Sequence, residues 1–175
     1  MTEKMKIYTY PAPILRVKTE VVENIDEGIQ KLVDRMAQTM YAAPGIGLAA
    51  NQVGESKRVL VYDVSPTDSG RSLSVIINPE IVLGEGDIVQ EEACLSVIDF
   101  SAEVSRKAQV KVRGVDIDGN PVDIEAKGLL ARCLQHEIDH LNGILFIDHI
   151  SSLKRTLYNK RLKKMLMKEQ SPNNK

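Results

Sequence analysis

The chain has no tryptophan, and aromatic residues fill only 4% of its 175 positions. Aliphatic side chains must therefore build its core. Cysteine is equally scarce, with Cys94 and Cys133 as the only two. Two thiols cannot make the disulfide framework of a small secreted domain. No stretch approaches the 18 apolar residues of a transmembrane helix. The opening MTEKMKIYTYPAPILR lacks the uninterrupted apolar segment of a signal peptide. These absences predict a cytoplasmic protein with reduced thiols and no membrane partner. Repeats, low-complexity stretches and interdomain linkers are also missing, so residues 1–175 are expected to form one domain.

The formal charge of −1 hides an asymmetry. Lys154 to Lys168 holds seven basic residues and no acid, so the rest of the chain is acidic. The net charge therefore says little about partners, and nothing points to DNA.

Periodicity predicts the elements. Ile29, Leu32, Val33, Met36 and Met40 recur at helical spacing from Asp26 to Ala42, and Pro44-Gly45 ends that helix. RVLVYDV (Arg58 to Val64) reads as a strand. LSVIINP reads as a second strand stopped at Asn78-Pro79, and residues 80–91 as a strand interrupted by Gly84 and Gly86. AQVKVRGVDI and PVDIEA flank Asp118-Gly119-Asn120 as a hairpin. Helices are expected from about Lys127 to Leu141, closing on Asn142-Gly143, and from about 152 to 169. The sum is an α+β fold, with antiparallel β-sheets packed around a central helix and a C-terminal helix.

The central helix carries His136-Glu137-Ile138-Asp139-His140, an H-E-x-x-H. Residues four apart share a helix face, so both imidazoles reach one metal ion. Glu137 is placed to serve as general base. The chain has three histidines in all, and two of them fall at this spacing around a glutamate.

Two imidazoles leave a metal under-coordinated. Cys133 lies five residues below the level of the metal, about 7.5 Å along the axis, too far for a thiolate bond of about 2.3 Å. It reads as a small buried apolar residue. Cys94 in EEACLSV is free of that constraint, and an acid from elsewhere is its rival. Asp139 either orients a ligand imidazole or faces solvent, and His149 reads as structural or exposed. Ile46, Ile98, Leu129, Cys133 and Phe100 are possible walls of an apolar slot.

Three motifs in order, GIGLAANQ, EACLS and QHEIDHLNG, give the chain its resemblance to the peptide deformylases. Weaker similarity runs through PAPILR, IINPEI and DGNPVDIEAKGLLARCLQHE. The resemblance implies that Cys94, His136 and His140 bind one divalent metal ion. Ferrous iron is the expected ion, with zinc, nickel or cobalt as substitutes. It implies that Glu137 is the acid/base, and that the Gln52 amide and the Leu95 N–H hold the oxyanion. Gly47 would lie along the substrate backbone. The implied reaction removes the formyl group from the N-terminal formylmethionine of new polypeptides. The basic C-terminal helix would contact the ribosome.

The chain departs from the family pattern at Ala93, which replaces a glycine, and at Ile98 and Ser101, which replace a proline and an arginine. The rival readings are another metal-dependent amidase or peptidase, and a catalytically idle homologue that binds ribosomes.

Overall fold

A computed structural model describes residues 3–171. Helix α1 spans Glu27–Ala42. The Asp26 side chain caps it by accepting from the Ile29 N–H at 3.0 Å, which satisfies one of the unpaired donors at a helix start. The five apolar positions expected to face inward are all buried. They pack against Leu48, Val59, Val61 and Ile77 of the sheet.

The strands are β1 (Gly47–Ala49), β2 (Val59–Tyr62), β3 (Ser74–Cys94), β4 (Val97–Val115) and β5 (Pro121–Lys127). Each pairs antiparallel with the next, so the sheet is one five-stranded meander. Helix α2 (Gly128–Leu141) follows, then a 3-10 turn at Phe146–His149, then helix α3 (Ser152–Gln170). Gly143 adopts φ 75° just beyond α2, the left-handed conformation that ends a helix. Helix α2 buries Cys133, Leu134, Ile138 and Leu141 against Leu60, Ile76, Val110 and Val112. The motif helix is thus held by apolar packing along its length.

Two strand expectations need correction. β3 does not stop at Asn78-Pro79, and Gly84 and Gly86 do not interrupt it. Asn78 takes φ 53°, and its side chain both accepts from the Val22 N–H and donates to the Val22 carbonyl, each at 2.9 Å. Register shifts between Ile77 and Glu80, and between Ile81 and Leu83, absorb the irregularity. The strand bends where its propensity fails because the long ladder with β4 continues past it. That ladder is the second correction, for β4 begins at Val97 and not at Ala108. Residues 98–100 are squeezed out of register between the Ala93–Ser101 and Cys94–Val97 pairs, and Asp99 takes φ 50°. Such a bulge breaks the alternation by which a strand is recognised.

Just after β2, Asp63 ties down the loop that follows. Its carboxylate accepts from the Tyr41 hydroxyl (2.7 Å), the Ser65 N–H (2.9 Å) and hydroxyl, and the Ser72 N–H (2.7 Å). The Ser65 hydroxyl leads these donors in holding Asp63 well below its ordinary 3.8, against the opposing effect of burial. A carboxyl depressed in the folded state stabilises the fold above its unfolded pKa, and that contribution is lost as pH falls toward the folded value. Asp63→Asn should therefore lower the denaturant midpoint at neutral pH and flatten its dependence on pH below about 4. Denaturant titrations across that range would show parallel curves if Asp63 carried no such role.

Candidate metal centre

The motif spacing works as geometry. His136 and His140 sit one turn apart on α2 with Nε2 atoms 3.2 Å from each other. The Cys94 Sγ lies 3.2 Å from the His140 Nε2. The three donor atoms all fall within 4.8 Å of one another. Cys94 ends β3 and is separated from Val97 by the tight Leu95-Ser96 turn. The turn folds the sulfur back, where the Ser96 N–H donates to it at 3.3 Å.

Among the described residues this is the one cluster of at least three such side chains able to hold a metal. Cys133 stands apart from it, buried with its thiol 3.7 Å from the Ile46 carbonyl, and burial pushes that thiol well up. His149 is also outside, paired with Asp139 at 2.7 Å.

The surroundings favour positive charge. Glu92 accepts from His136 Nδ1 at 3.0 Å. Burial opposes a charged His136, yet its contacts with Cys94 and Glu92 win and hold its pKa well above the ordinary range. The acceptors that favour a proton there also favour a metal cation. Burial, aided by the His136 charge, pushes His140 well down, which suits a neutral imidazole ligand. Two nitrogens, one sulfur and a fixed ring orientation are a donor set that fits a transition-metal dication.

Glu92 and Arg106 were not singled out from sequence. Arg106 grips Glu92 with two hydrogen bonds of 2.8 and 3.0 Å. It also donates to Asp139 at 2.5 Å. Burial would raise Glu92, but bonds from His136 and Arg106 outweigh it and hold the carboxyl down to about 2. Asp139 therefore bonds to neither His136 nor His140, its partners being Arg106 and His149. Glu92 was legible as the first letter of EACLS. Arg106 carried no signal, because its strand was not recognised.

A cavity of about 350 Å³ opens on this cluster, lined among others by Gly47, Gln52, Leu95, Cys133, His136 and Glu137. Its size suits a small ligand or side chain. Gln52 lies in a 3-10 turn, Ala50–Val53. Its Oε1 accepts from the Ala49 N–H at 2.9 Å, which turns the Nε2 toward Ser96 Oγ (3.1 Å) and Cys94 Sγ (3.8 Å). Gly47 lies against the Glu137 side chain. A Cβ built there would fall 2.6 Å from Glu137 Oε1, so only glycine leaves the carboxylate its place. Glu137 is buried, 5% exposed, with Oε2 lacking a hydrogen-bond partner, and burial raises it to about 7. A buried carboxyl poised near neutrality can both take and return a proton.

Of the expected wall residues, Ile46 and Cys133 line the cavity. Ile98 and Leu129 are exposed, and Phe100 stacks on Tyr158 at 4.4 Å instead. Ala93 also lines the cavity and does not take a positive φ.

Residues 4–156 match the family described as polypeptide deformylase. The peptide deformylase of Thermodesulfovibrio yellowstonii is 53% identical over 159 residues, 91% of this chain and 96% of the relative. That of Syntrophobacter fumaroxidans is 52% identical over 162 residues, 93% and 95% of the two chains. The crystal structure of the Legionella pneumophila enzyme superposes with a TM-score of 0.88 at 43% identity, covering 97% of this chain and all of the other. An Ehrlichia chaffeensis peptide deformylase in complex with actinonin gives 0.88 at 41% identity, covering 97% and 99%. The chain belongs to the polypeptide deformylase family.

Proposed function

We propose that the protein is a metal-dependent hydrolase that removes the formyl group from N-terminal formylmethionine of newly made polypeptides, with residues 1–175 as one catalytic domain. The observation that carries this reading is the convergence of Cys94, His136 and His140 donor atoms beside an enclosed Glu137. A divalent ion bound by these three residues would polarise the formyl carbonyl and make water a better nucleophile. Ferrous iron is the ion we assign on the family resemblance, since thiolate with two imidazoles suits zinc equally and does not choose between them.

The chain's own residues would do the rest. Glu137 takes a proton from the attacking water and returns one to the departing amine. As the formyl carbon becomes tetrahedral its oxygen gains charge. The Gln52 amide, whose Oε1 accepts from the Ala49 N–H, and the Leu95 N–H would hold that charge, and both residues line the cavity. Gly47 leaves room for the substrate backbone next to Glu137. Glu92 keeps His136 oriented, and Arg106 keeps Glu92 ionised.

The direct test is formate release from an amidated formyl-Met peptide, with the protein loaded anaerobically with ferrous iron. Turnover on that peptide, with no cleavage of internal peptide bonds, is expected. Cleavage of internal bonds instead would favour the endopeptidase reading.

The ribosome is the partner we assign to α3. Its Tyr158 and Leu162 are buried while its Lys and Arg are nearly all exposed. Co-sedimentation with ribosomes should fall steeply as salt rises, and a salt-insensitive or absent association would remove the assignment. No helix among the described residues is long and apolar enough to cross a membrane. The cytoplasm is the location we assign from these partners.

A further inference from the structure

Arg132 lines the same cavity as His136 and Glu137 and takes no part in the steps above. It lies four residues before His136 on α2, so the two side chains share a helix face. Its Nη1 donates to the Glu91 carbonyl at 3.3 Å. Among the described residues it makes no ion pair. The contrast with Arg106, whose fork is filled by Glu92 and Asp139, is direct.

Glu91 and Glu92, which line the same cavity, have other partners. Glu91 accepts from the Ser101 hydroxyl at 2.7 Å, and Glu92 is held by Arg106 and His136. A guanidinium offers five donors in a planar fork, and one weak backbone contact leaves most of them unused. At the wall of a cavity that receives a peptide, the group that best fills such a fork is a carboxylate.

We propose that Arg132 is a specificity-determining residue, which favours formyl-methionyl peptides carrying an acidic side chain at the second or third position. This rests on the deformylase reading. It goes beyond it by naming the substrate class and the residue that selects it. The methionine side chain and formyl group occupy the enclosed part of the cavity with Glu137. The chain that follows must leave past the rim, where the Arg132 charge acts on it. A lysine there meets repulsion, while an aspartate accepts from a two-pronged donor fork.

The experiment uses the full, metal-loaded protein and amidated peptides, so that the only free carboxylate is the side chain. Formyl-Met-Asp-Ala and formyl-Met-Ala-Asp are compared with their Lys and Ala counterparts, with kcat and KM resolved. At the selected position the acidic peptide should exceed the lysine peptide by about tenfold in kcat/KM, mainly through KM. The preference should shrink as salt rises. Arg132→Glu should invert the ranking, and Arg132→Lys should keep part of it.

Normal turnover with Asp, Ala and Lys within about twofold at both positions would overturn this proposal alone. So would an unchanged ranking in Arg132→Glu. Absence of turnover on every formyl-Met peptide would overturn the deformylase reading and this proposal with it.

Discussion

Glu137→Gln is expected to cut kcat by about 10²–10⁴-fold while metal content stays at the wild-type level. The amide matches the carboxylate in shape, so the wall it shares with Gly47, where a Cβ would come within 2.6 Å, is not disturbed. What is lost is the ability to accept a proton. Burial already places this carboxyl near 7, and enclosure leaves its Oε2 without a hydrogen-bond partner. Substituting a neutral amide at an enclosed site should not weaken the fold, so the thermal midpoint should hold or rise. Formate release, metal analysis and calorimetry on the same preparation separate these effects. Near-normal kcat with metal bound would remove Glu137 from the chemistry.

Arg106→Ala should have the largest effect on stability, about 3–5 kcal/mol. The guanidinium is only 5% exposed and its partner Glu92 only 3%. Removing it strands the Glu92 carboxylate, and leaves Asp139 with His149 alone. Of the two partners that hold Glu92 down to about 2, His136 and Arg106, only His136 would remain, so burial should move that carboxyl upward. His136 then loses its ionised acceptor, and metal affinity should fall about 10–100-fold. Chelator competition measures the affinity, and denaturant unfolding the stability. Glu92→Gln separates the two, since it keeps a hydrogen-bond acceptor for the ring but gives up the charge. A variant with wild-type midpoint and affinity would mean that the buried chain from His136 to Asp139 carries neither.

Much of this site could be read along the chain because its pieces are local. The two imidazoles and Glu137 need only a helix of ordinary pitch, and the apolar spacing of Leu134, Ile138 and Leu141 declares that helix. The Asp26 cap, the Asn142-Gly143 stop and the Asp118-Gly119-Asn120 turn are short-range effects of the same kind. Asp116 Oδ1 closes that turn by accepting from the Asp118 and Asn120 N–H groups at 2.9 and 2.8 Å. The long β3–β4 hairpin was less legible. Its first strand runs through a proline and two glycines, and its second carries a three-residue bulge. Its cohesion comes from pairing with a strand that is itself irregular in sequence.

The tight approach of Cys94 to His140 likewise joins elements 46 positions apart. On residue chemistry alone an acid remained its rival as third ligand. The resemblance supplied that expectation, and the Leu95-Ser96 turn supplies the placement. Glu92 and Arg106 belong with the non-local features. A buried acid and a buried base 14 residues apart are indistinguishable in sequence from surface charges. They are recognised only when the strands face them inward and His136 needs an acceptor.

By itself, then, the amino-acid sequence determined the helices, the turns and the H-E-x-x-H pair, because each depends on contacts within a few residues. The tertiary structure alone decided how β3 and β4 cross their irregular stretches, and that Glu92 and Arg106 stand behind His136. It also left Arg132 without a carboxylate partner at the cavity wall. Those outcomes depend on burial and on charges brought together across the fold, and no local pattern of residues encodes either.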